Sequence, residues 1–493
     1  MEGPRPNIPP DGGAGAPAVL AEVRHGAAPV HADRRRTVPG VRRDRIAAAV
    51  AVALACAIVI VARRPDVVLR PQFWAEDGMQ FFARAYNEPG FATLVAPYGA
   101  YYQTFPRIAG FVAQWVAFPS APLVMALLAL GVQAIPPAFL LSNRFAGVAP
   151  HLGQRAVLAA VLLLVPNAME VHVNVTNSQV HLALLAFLVL LAESRSSLAW
   201  RAFDVAVLLL SGASGPFCVL LVPVAVLCCW RQRDRWSVAR LLCLLVPVAL
   251  QLAALKPRGP VPEEPIPRGF RIRKPRTPHG ASPANLLGIY GGQVVVGGLA
   301  GWRSYVELHA GLFAAHPWVP RLLGLAGIVF VARAGWVTTS FALRALLLFA
   351  TLHMAAGLAS PTILGDRPLW EMLQVPGAGQ RYWITMILAL VAALLWTVAA
   401  DPRRGMRALA AIPLLILVLV GLPRDLVMPP REDFDFPAQA TRFVHAAPGR
   451  IVPIRIPPSP SVMMLVRGCE PPRKVPRADL VERFRARRAC PDP

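Results

Sequence analysis

Charge is scarce in this chain, and acid is scarcer than base. Only 16% of its 493 residues are Asp, Glu, Lys or Arg, and 27 acids stand against 50 basic residues, for a formal net charge of +23. So few charges, with 55% hydrophobic residues and a mean hydropathy of +0.49, cannot clothe an ordinary soluble fold. The usual marks of soluble chemistry are lacking too: there is no phosphate-binding glycine loop with its Lys, no nucleophile elbow and no zinc signature, which argues against an enzyme fed by soluble nucleotide. Nor does a nucleic-acid fold or an interleaved aromatic motif accompany the positive charge; much of it lies beside apolar runs and in the tails, where it orients the chain and meets anionic lipid. Seven cysteines are few, and Cys56, Cys218, Cys228, Cys229 and Cys243 lie in apolar runs as packing residues. Cys469 and Cys490 leave two readings open, a pair of free thiols or a disulfide closing a loop of about twenty residues for roughly 3 kcal/mol.

What is present is a series of apolar runs. The first, 46–62, is near the lower limit for crossing about 30 Å of hydrocarbon, and later runs lie near 121–141, 155–166, 178–192, 203–212, 215–229, 238–255, 319–333, 344–358, 382–399 and 407–422. These predict an all-α polytopic membrane protein with about eleven membrane-embedded segments. Residues 1–45 read as a disordered basic tail, 46–422 as the helical membrane domain, and 423–493 as a Pro-rich C-terminal segment in which Arg450 to Pro457 could form one or two edge strands. The runs at 155–166 and 178–192, and those flanking Ser211 to Pro216, are short and joined by polar tips, so they predict hairpins ending at a cavity or within the bilayer.

Arg and Lys in the short loops set the expected orientation. Arg residues from 34 to 45, Arg144 and Arg155, Arg195 and Arg201, Arg231 to Arg235, Arg333, and Arg403 to Arg407 mark alternate loops, whereas the tips 167–177 and 211–216 carry none. The N-terminus is expected in the cytoplasm and the C-terminus outside. The basic loop 256–283 falls outside in this scheme, and a missed span nearby would invert the later topology.

Phe73-Trp74-Ala75-Glu76-Asp77-Gly78 follows the first run. Paired carboxylates at a bilayer surface are costly to desolvate and add nothing to a spanning helix, so they suggest a site. The remainder of loop 63–106 holds Phe81, Phe82 and Ala85 at surface-helix spacing and the aromatic turn Pro97 to Tyr102. A carboxylate fixed there could take a proton from an acceptor hydroxyl if a second group stabilised the leaving group. Gly379-Gln380-Arg381-Tyr382-Trp383 offers such a group, because a guanidinium grips phosphate with parallel hydrogen bonds; the same residues also suit an ordinary interfacial belt. His172 and His181 have no metal-ligand spacing and read as hydrogen-bonding residues of the tip. Asn174-Val175-Thr176 fits a glycosylation pattern, set too close to the membrane for use.

Taken in order, the 73–78 motif, Pro97-Tyr98-Gly99-Ala100-Tyr101, Asn174 to Gln179, Ser214-Gly215-Pro216-Phe217 and Gly379 to Tyr382 resemble bacterial multi-spanning glycosyltransferases of the C class (GT-C) over about residues 46–456. The resemblance implies a transferase that moves a sugar, with inversion, from a polyprenyl-phosphate donor to a cell-envelope glycan, lipid or protein acceptor outside the membrane. It implies Asp77 first, and Glu76 as its neighbour, as catalytic base or metal contact, with Arg381 and Tyr382 on the carrier phosphate and Tyr98, Tyr101, Asn177 and Gln179 around the substrate. The order Glu-Asp replaces the commoner Asp-x-Asp of that superfamily. Whether a divalent cation takes part stays open. A transporter or lipid flippase, and a non-catalytic scaffold, are the other classes compatible with this composition.

Overall fold

A computed structural model describes residues 39–468 except 89, 99–100, 195–196, 255–276 and 364–365. The tail before residue 39, the basic stretch 256–276, Gly99, Ala100, Arg195 and the pair Cys469 and Cys490 therefore lie outside the described residues. Contacts divide the chain into Met1–Ala48 and Ala49–Pro493.

Every apolar run becomes a helix, because unbroken Leu, Val and Ala satisfy the backbone internally and leave side chains to pack. We number them α1 (Pro39–Arg63), α2 (Ala121–Leu140), α3 (Leu152–Leu164), α4 (Ser178–Leu191), α5 (Leu198–Ala213), α6 (Phe217–Gln232), α7 (Arg235–Ala254), α8 (Trp318–Val337), α9 (Phe341–Ala359), α10 (Gln380–Ala400) and α11 (Arg404–Ile416). The expected count of about eleven crossings is not met by length and composition. Among the described residues six helices are long and apolar enough to cross a bilayer: Phe118–Leu140, Arg235–Ala254, Trp318–Val337, Phe341–Ala359, Gln380–Ala400 and Arg404–Asp425. Ala47–Arg63, α3, α4 and α6 are apolar but shorter, since at 1.5 Å per residue α3 and α4 reach only about 20 Å. The chain is thus a mostly helical, multi-pass membrane protein. On α8, Trp318 and Trp336 are 57% and 87% exposed; their spacing of about 27 Å suits the two interfacial belts of a bilayer.

One long helical stretch among the described residues has no counterpart in the apolar runs. Residues 283–300 form a helix with a π-helical turn at Tyr290–Val296, and Trp302–Leu308 continues it after Gly301. Gly291 faces the main chain of Pro320, and Gly324 faces that of Leu287, so closely that a Cβ at either would collide with backbone. Helices approach this closely only through small residues, and Gly291 with Gly288, Gly292, Gly297 and Gly298 also dilutes the hydropathy of the 283–300 segment.

The C-terminal segment is more ordered than its composition suggests. After a short helix, α12 (Phe436–Val444), strands β1 (Ile451–Arg455) and β2 (Val462–Val466) pair antiparallel, with Ile451 opposite Val466 and Arg455 opposite Val462. In a two-stranded sheet both strands are edges, which accommodates Pro453. Ile454, Ile456, Met463 and Leu465 are buried against Phe73, Phe81, Phe82 and Phe436 in a core that also takes in α2. The hairpin is therefore fastened over loop 63–106.

Candidate functional site

The 73–78 motif is held residue by residue. Phe73 lies 4.5 Å from the Phe82 ring and edge-on to Phe436. Trp74 stacks under the Arg431 guanidinium at 4.8 Å. Ala75 adopts φ 39°, a left-handed backbone uncommon for a residue with a Cβ, and its N–H donates to the Pro457 carbonyl at 2.7 Å. A Cβ on Gly78 would come within 2.8 Å of Ile456 and 2.9 Å of Phe73, so glycine lets the C-terminal hairpin close.

This clamp gives the adjacent acids opposite fates. Asp77 is buried and accepts hydrogen bonds from Val175 N (2.9 Å), Thr176 N (2.7 Å) and Thr176 Oγ1 (2.6 Å). Burial pushes its carboxyl up to about 6, against those hydrogen bonds and the Arg431 charge, which pull the other way. Arg431 donates to the carbonyls of His172 (3.0 Å) and Val173 (2.7 Å), and burial holds its guanidinium down to about 9. Val173 sits at φ 46°, a costly backbone for a β-branched residue, kept there by Arg431 and by Gln133 Oε1, which accepts its N–H at 2.9 Å. Asp77 is thus the tie between loop 63–106 and tip 167–177. Glu76 is half-buried and forms no hydrogen bond among the described residues.

Three further segments meet at Tyr101, on which Glu76 acts electrostatically. Tyr98 and Tyr101 exchange main-chain hydrogen bonds across a turn; Tyr98 lies edge-on to Phe81 at 6.1 Å, while the Tyr101 phenol bonds to the Gln179 side chain. Burial raises the Tyr101 phenol; Arg381 opposes that rise, and Tyr382 and Glu76 add to it. Those four side chains therefore share one electrostatic neighbourhood with Tyr101. Gln179 Oε1 and Asn177 Oδ1 are buried acceptors without a partner among the described residues.

Arg381 opens α10 after Gly379, whose φ of 62° is easy only for a residue without Cβ. Its guanidinium pairs with Glu170, donates to Thr362 O (2.6 Å), Thr362 Oγ1 (2.8 Å) and Tyr382 Oη (3.0 Å), and its main-chain N–H donates to Glu170 Oε2 at 3.1 Å. A carboxylate accordingly occupies the positive end of α10 beside an arginine, which is a seat for an anion. The Tyr382 hydroxyl also accepts from Thr362 N at 2.9 Å.

A buried polar layer supports this seat. The Glu170 carbonyl accepts from Asn174 Nδ2 (2.6 Å) and Asn177 Nδ2 (2.9 Å), and its N–H donates to Gln380 Oε1 (2.7 Å). Gln380 Nε2 reaches Asn167 Oδ1 at 2.6 Å, and Asn167 reaches Gln293. Asp425 accepts from Asn167 N (2.9 Å) and Trp302 N (2.8 Å), and Arg63 ends α1 by donating to the carbonyls of Leu163, Val165 and Asp425. His172 and His181 bond the carbonyls of Ile60 and Val171, each at 2.9 Å, and Asn174 is buried, closed to glycosylation in this fold. Burial and the Arg63 charge hold His172 well below the usual imidazole range.

Of the expected site residues, Arg381 and Tyr382 meet directly, Asn177 joins them through Glu170, Tyr101 bonds to Gln179 and feels the charges of Arg381 and Glu76, Asp77 ties the tip from behind, and Tyr98 packs on Phe81. Sequence reasoning missed Glu170 as the partner of Arg381, Thr362 as its second support, and Arg431. Glu170 was visible as a lone acid in an uncharged tip, whereas Arg431 lies in a polar tail with nothing to mark it. Among the described residues no group of three or more His, Cys, Asp or Glu side chains gathers as metal ligands. No protein-family model and no curated protein matches this chain.

Proposed function

We propose that this chain is a membrane glycosyltransferase that moves a sugar from a polyprenyl-phosphate donor to a hydroxyl on the extracytoplasmic side. The observation that carries the reading is the anion seat that Arg381 and Tyr382 build at the start of α10, with Tyr101 bonded to Gln179 and under the charges of both Arg381 and Glu76, and with a Glu76 carboxylate that has no hydrogen bond among the described residues. Asp77 serves this site as the tie that fixes the tip, and Glu76 takes the role of base.

In this reading the Glu76 carboxylate accepts the proton of the acceptor hydroxyl as that oxygen attacks the anomeric carbon. The bond from anomeric carbon to phosphate oxygen breaks, and the polyprenyl phosphate leaves with the electron pair. Arg381, the α10 N-terminus and the Tyr382 hydroxyl stabilise the charge that develops there. The phosphate displaces Glu170 from Arg381, which keeps 24% of its side chain exposed. Gln179 and Asn177 offer spare acceptor oxygens to sugar hydroxyls. The N-terminus is assigned to the cytoplasm, and the tip and C-terminal hairpin to the outside.

The test is transfer from a panel of radiolabelled polyprenyl-phosphate sugars in membranes holding wild-type, Glu76→Gln or Arg381→Ala protein at equal expression. Glu76→Gln should lower transfer at least about a hundredfold with the folded fraction unchanged, and Arg381→Ala should weaken donor use. Absence of transfer from every donor, with variants and wild type alike in cells, would move the assignment to a transporter or scaffold.

A further inference from the structure

The stretch 91–116 lies between the first two apolar runs and exposes an apolar surface of its own. Between Glu88 and Arg144 the only Asp, Glu, Lys or Arg is Arg107. Phe91–Val95 forms a short 3₁₀ segment, and Thr104–Val112 forms an α-helix that ends in a 3₁₀ turn at Ala113–Trp115. Phe91, Val95 and Trp115 are 71%, 68% and 57% exposed, and Ile108 and Val116 are exposed as well. The Phe91 and Phe111 rings lie 5.7 Å apart and those of Phe111 and Trp115 lie 6.0 Å apart. They form one aromatic ridge, unlike the single apolar side chains scattered over an ordinary surface.

The polar residues of the same stretch point the other way. Thr93, Gln103, Arg107 and Gln114 are buried. The Thr93 hydroxyl donates to the Gly90 carbonyl at 2.7 Å, and the Gln114 amide donates to that of Gly110 at 2.9 Å. The Arg107 guanidinium lies over the Phe81 ring at 6.0 Å, and a Cβ on Gly110 would collide with the Phe81 carbonyl, so this face of the helix is pressed onto loop 63–106. A surface element in water shows the reverse polarity. Polar groups turned inward and aromatic ones outward suit a hydrocarbon solvent. Phe81, Phe82 and Ala85, whose spacing suggested a surface helix, are instead buried.

Where the chain goes next says what covers the ridge. Trp115 stands three residues before the membrane-crossing helix Phe118–Leu140, at most about 11 Å of chain, and Leu127 on that helix is exposed. The ridge therefore runs into the lipid-facing side of a span, and its exposed side chains offer no charge to a protein partner. We propose that residues 91–116 are an interfacial seat, with Phe91, Phe111 and Trp115 sunk into the hydrocarbon boundary of the leaflet that α2 enters. The partner is the lipid surface itself. The seat holds the Tyr98–Tyr101 turn, which lies between its two arms in the chain, against the membrane. It stands independently of the glycosyltransferase reading.

The experiment is photo-crosslinking of the full chain in phosphatidylcholine nanodiscs, with p-benzoylphenylalanine in place of Phe91, of Trp115 or, as the reference on the span, of Leu127. In discs holding one chain, mass spectrometry should find a phosphatidylcholine adduct at positions 91 and 115 to about the same extent as at 127. In discs holding two chains the adducts should remain lipid adducts. Val95, exposed on the same ridge, supplies the alternative position should either variant fail to fold. Loss of the lipid adduct at the ridge positions beside a strong one at 127 would overturn the proposal and leave the ridge to a protein partner. A chain-to-chain adduct that displaces the lipid adduct in two-chain discs would overturn it in favour of a second copy.

Discussion

Two charged clusters sit at the two ends of α4, about 21 Å apart, and they differ in one respect. At the C-terminal end, Asp204 receives Arg144 at 2.5 and 2.9 Å, Arg240 at 3.0 and 2.8 Å, and Trp236 at 3.0 Å. Arg144 further stacks on Trp200 at 5.0 Å and donates to the Glu193 carbonyl, while Arg240 donates to that of Ala192. Every strong acceptor on Asp204 is used, and all three charges are buried. At the N-terminal end, among the described residues, the Glu76 carboxylate has no hydrogen bond or ion pair and Asn177 and Gln179 keep free oxygens. A saturated cluster can only hold the bundle together; an unsaturated one retains capacity for something that arrives.

The largest break in that comparison is Asp204→Asn. It leaves two buried guanidinium groups without their counter-charge, which costs about 3–5 kcal/mol when a buried pair loses one member. The expected result is a large fall in the thermal midpoint in detergent, with transfer per folded molecule unchanged. A variant as stable as wild type would show that the cluster is solvated rather than sealed.

Asp77→Asn should have a smaller effect of a different kind. An amide cannot accept from Val175 N, Thr176 N and Thr176 Oγ1 together, so one donor is left unpaired at about 1–3 kcal/mol. The pH dependence separates this from simple loosening. The folded carboxyl titrates at about 6 against an ordinary 3.8, so between these values the folded state holds a proton that the unfolded state has released. Stability linked to Asp77 therefore falls as pH rises from about 4 to 6, by on the order of 3 kcal/mol, and is flat above that. Thermal midpoints across that range should show the slope in wild type and lose it in Asp77→Asn.

Much of this was legible in the chain. The apolar runs marked helices α1 to α11, and the Pro-interrupted 450–457 stretch marked the first strand. Helix 283–300 was hidden because Gly291, Gly292, Gln293, Gly297 and Gly298 dilute its hydropathy while enabling its packing. The 73–78 motif was conspicuous, but neither its order nor its spacing could say which acid is free. That choice is made by Val175 and Thr176, about a hundred residues on, and by Pro457 from the C-terminal hairpin. Asp204 lay unremarked in an apolar run because its partners, Arg144 and Arg240, come from other helices.

The smallest expected effect sharpens the unsaturated end. Tyr101→Phe removes one hydroxyl from a ring that stays packed, and the Gln179 amide loses this partner. Stability should change by less than about 1 kcal/mol. Transfer should fall several-fold through a weaker KM for the acceptor or donor rather than through kcat, because the phenol orients Gln179 and lies beside the reacting groups without carrying the proton. Michaelis kinetics with the best donor from the panel would decide it. A kcat loss as large as that of Glu76→Gln would instead make the Tyr101 hydroxyl part of the proton path, and an unchanged KM and kcat would remove it from the site.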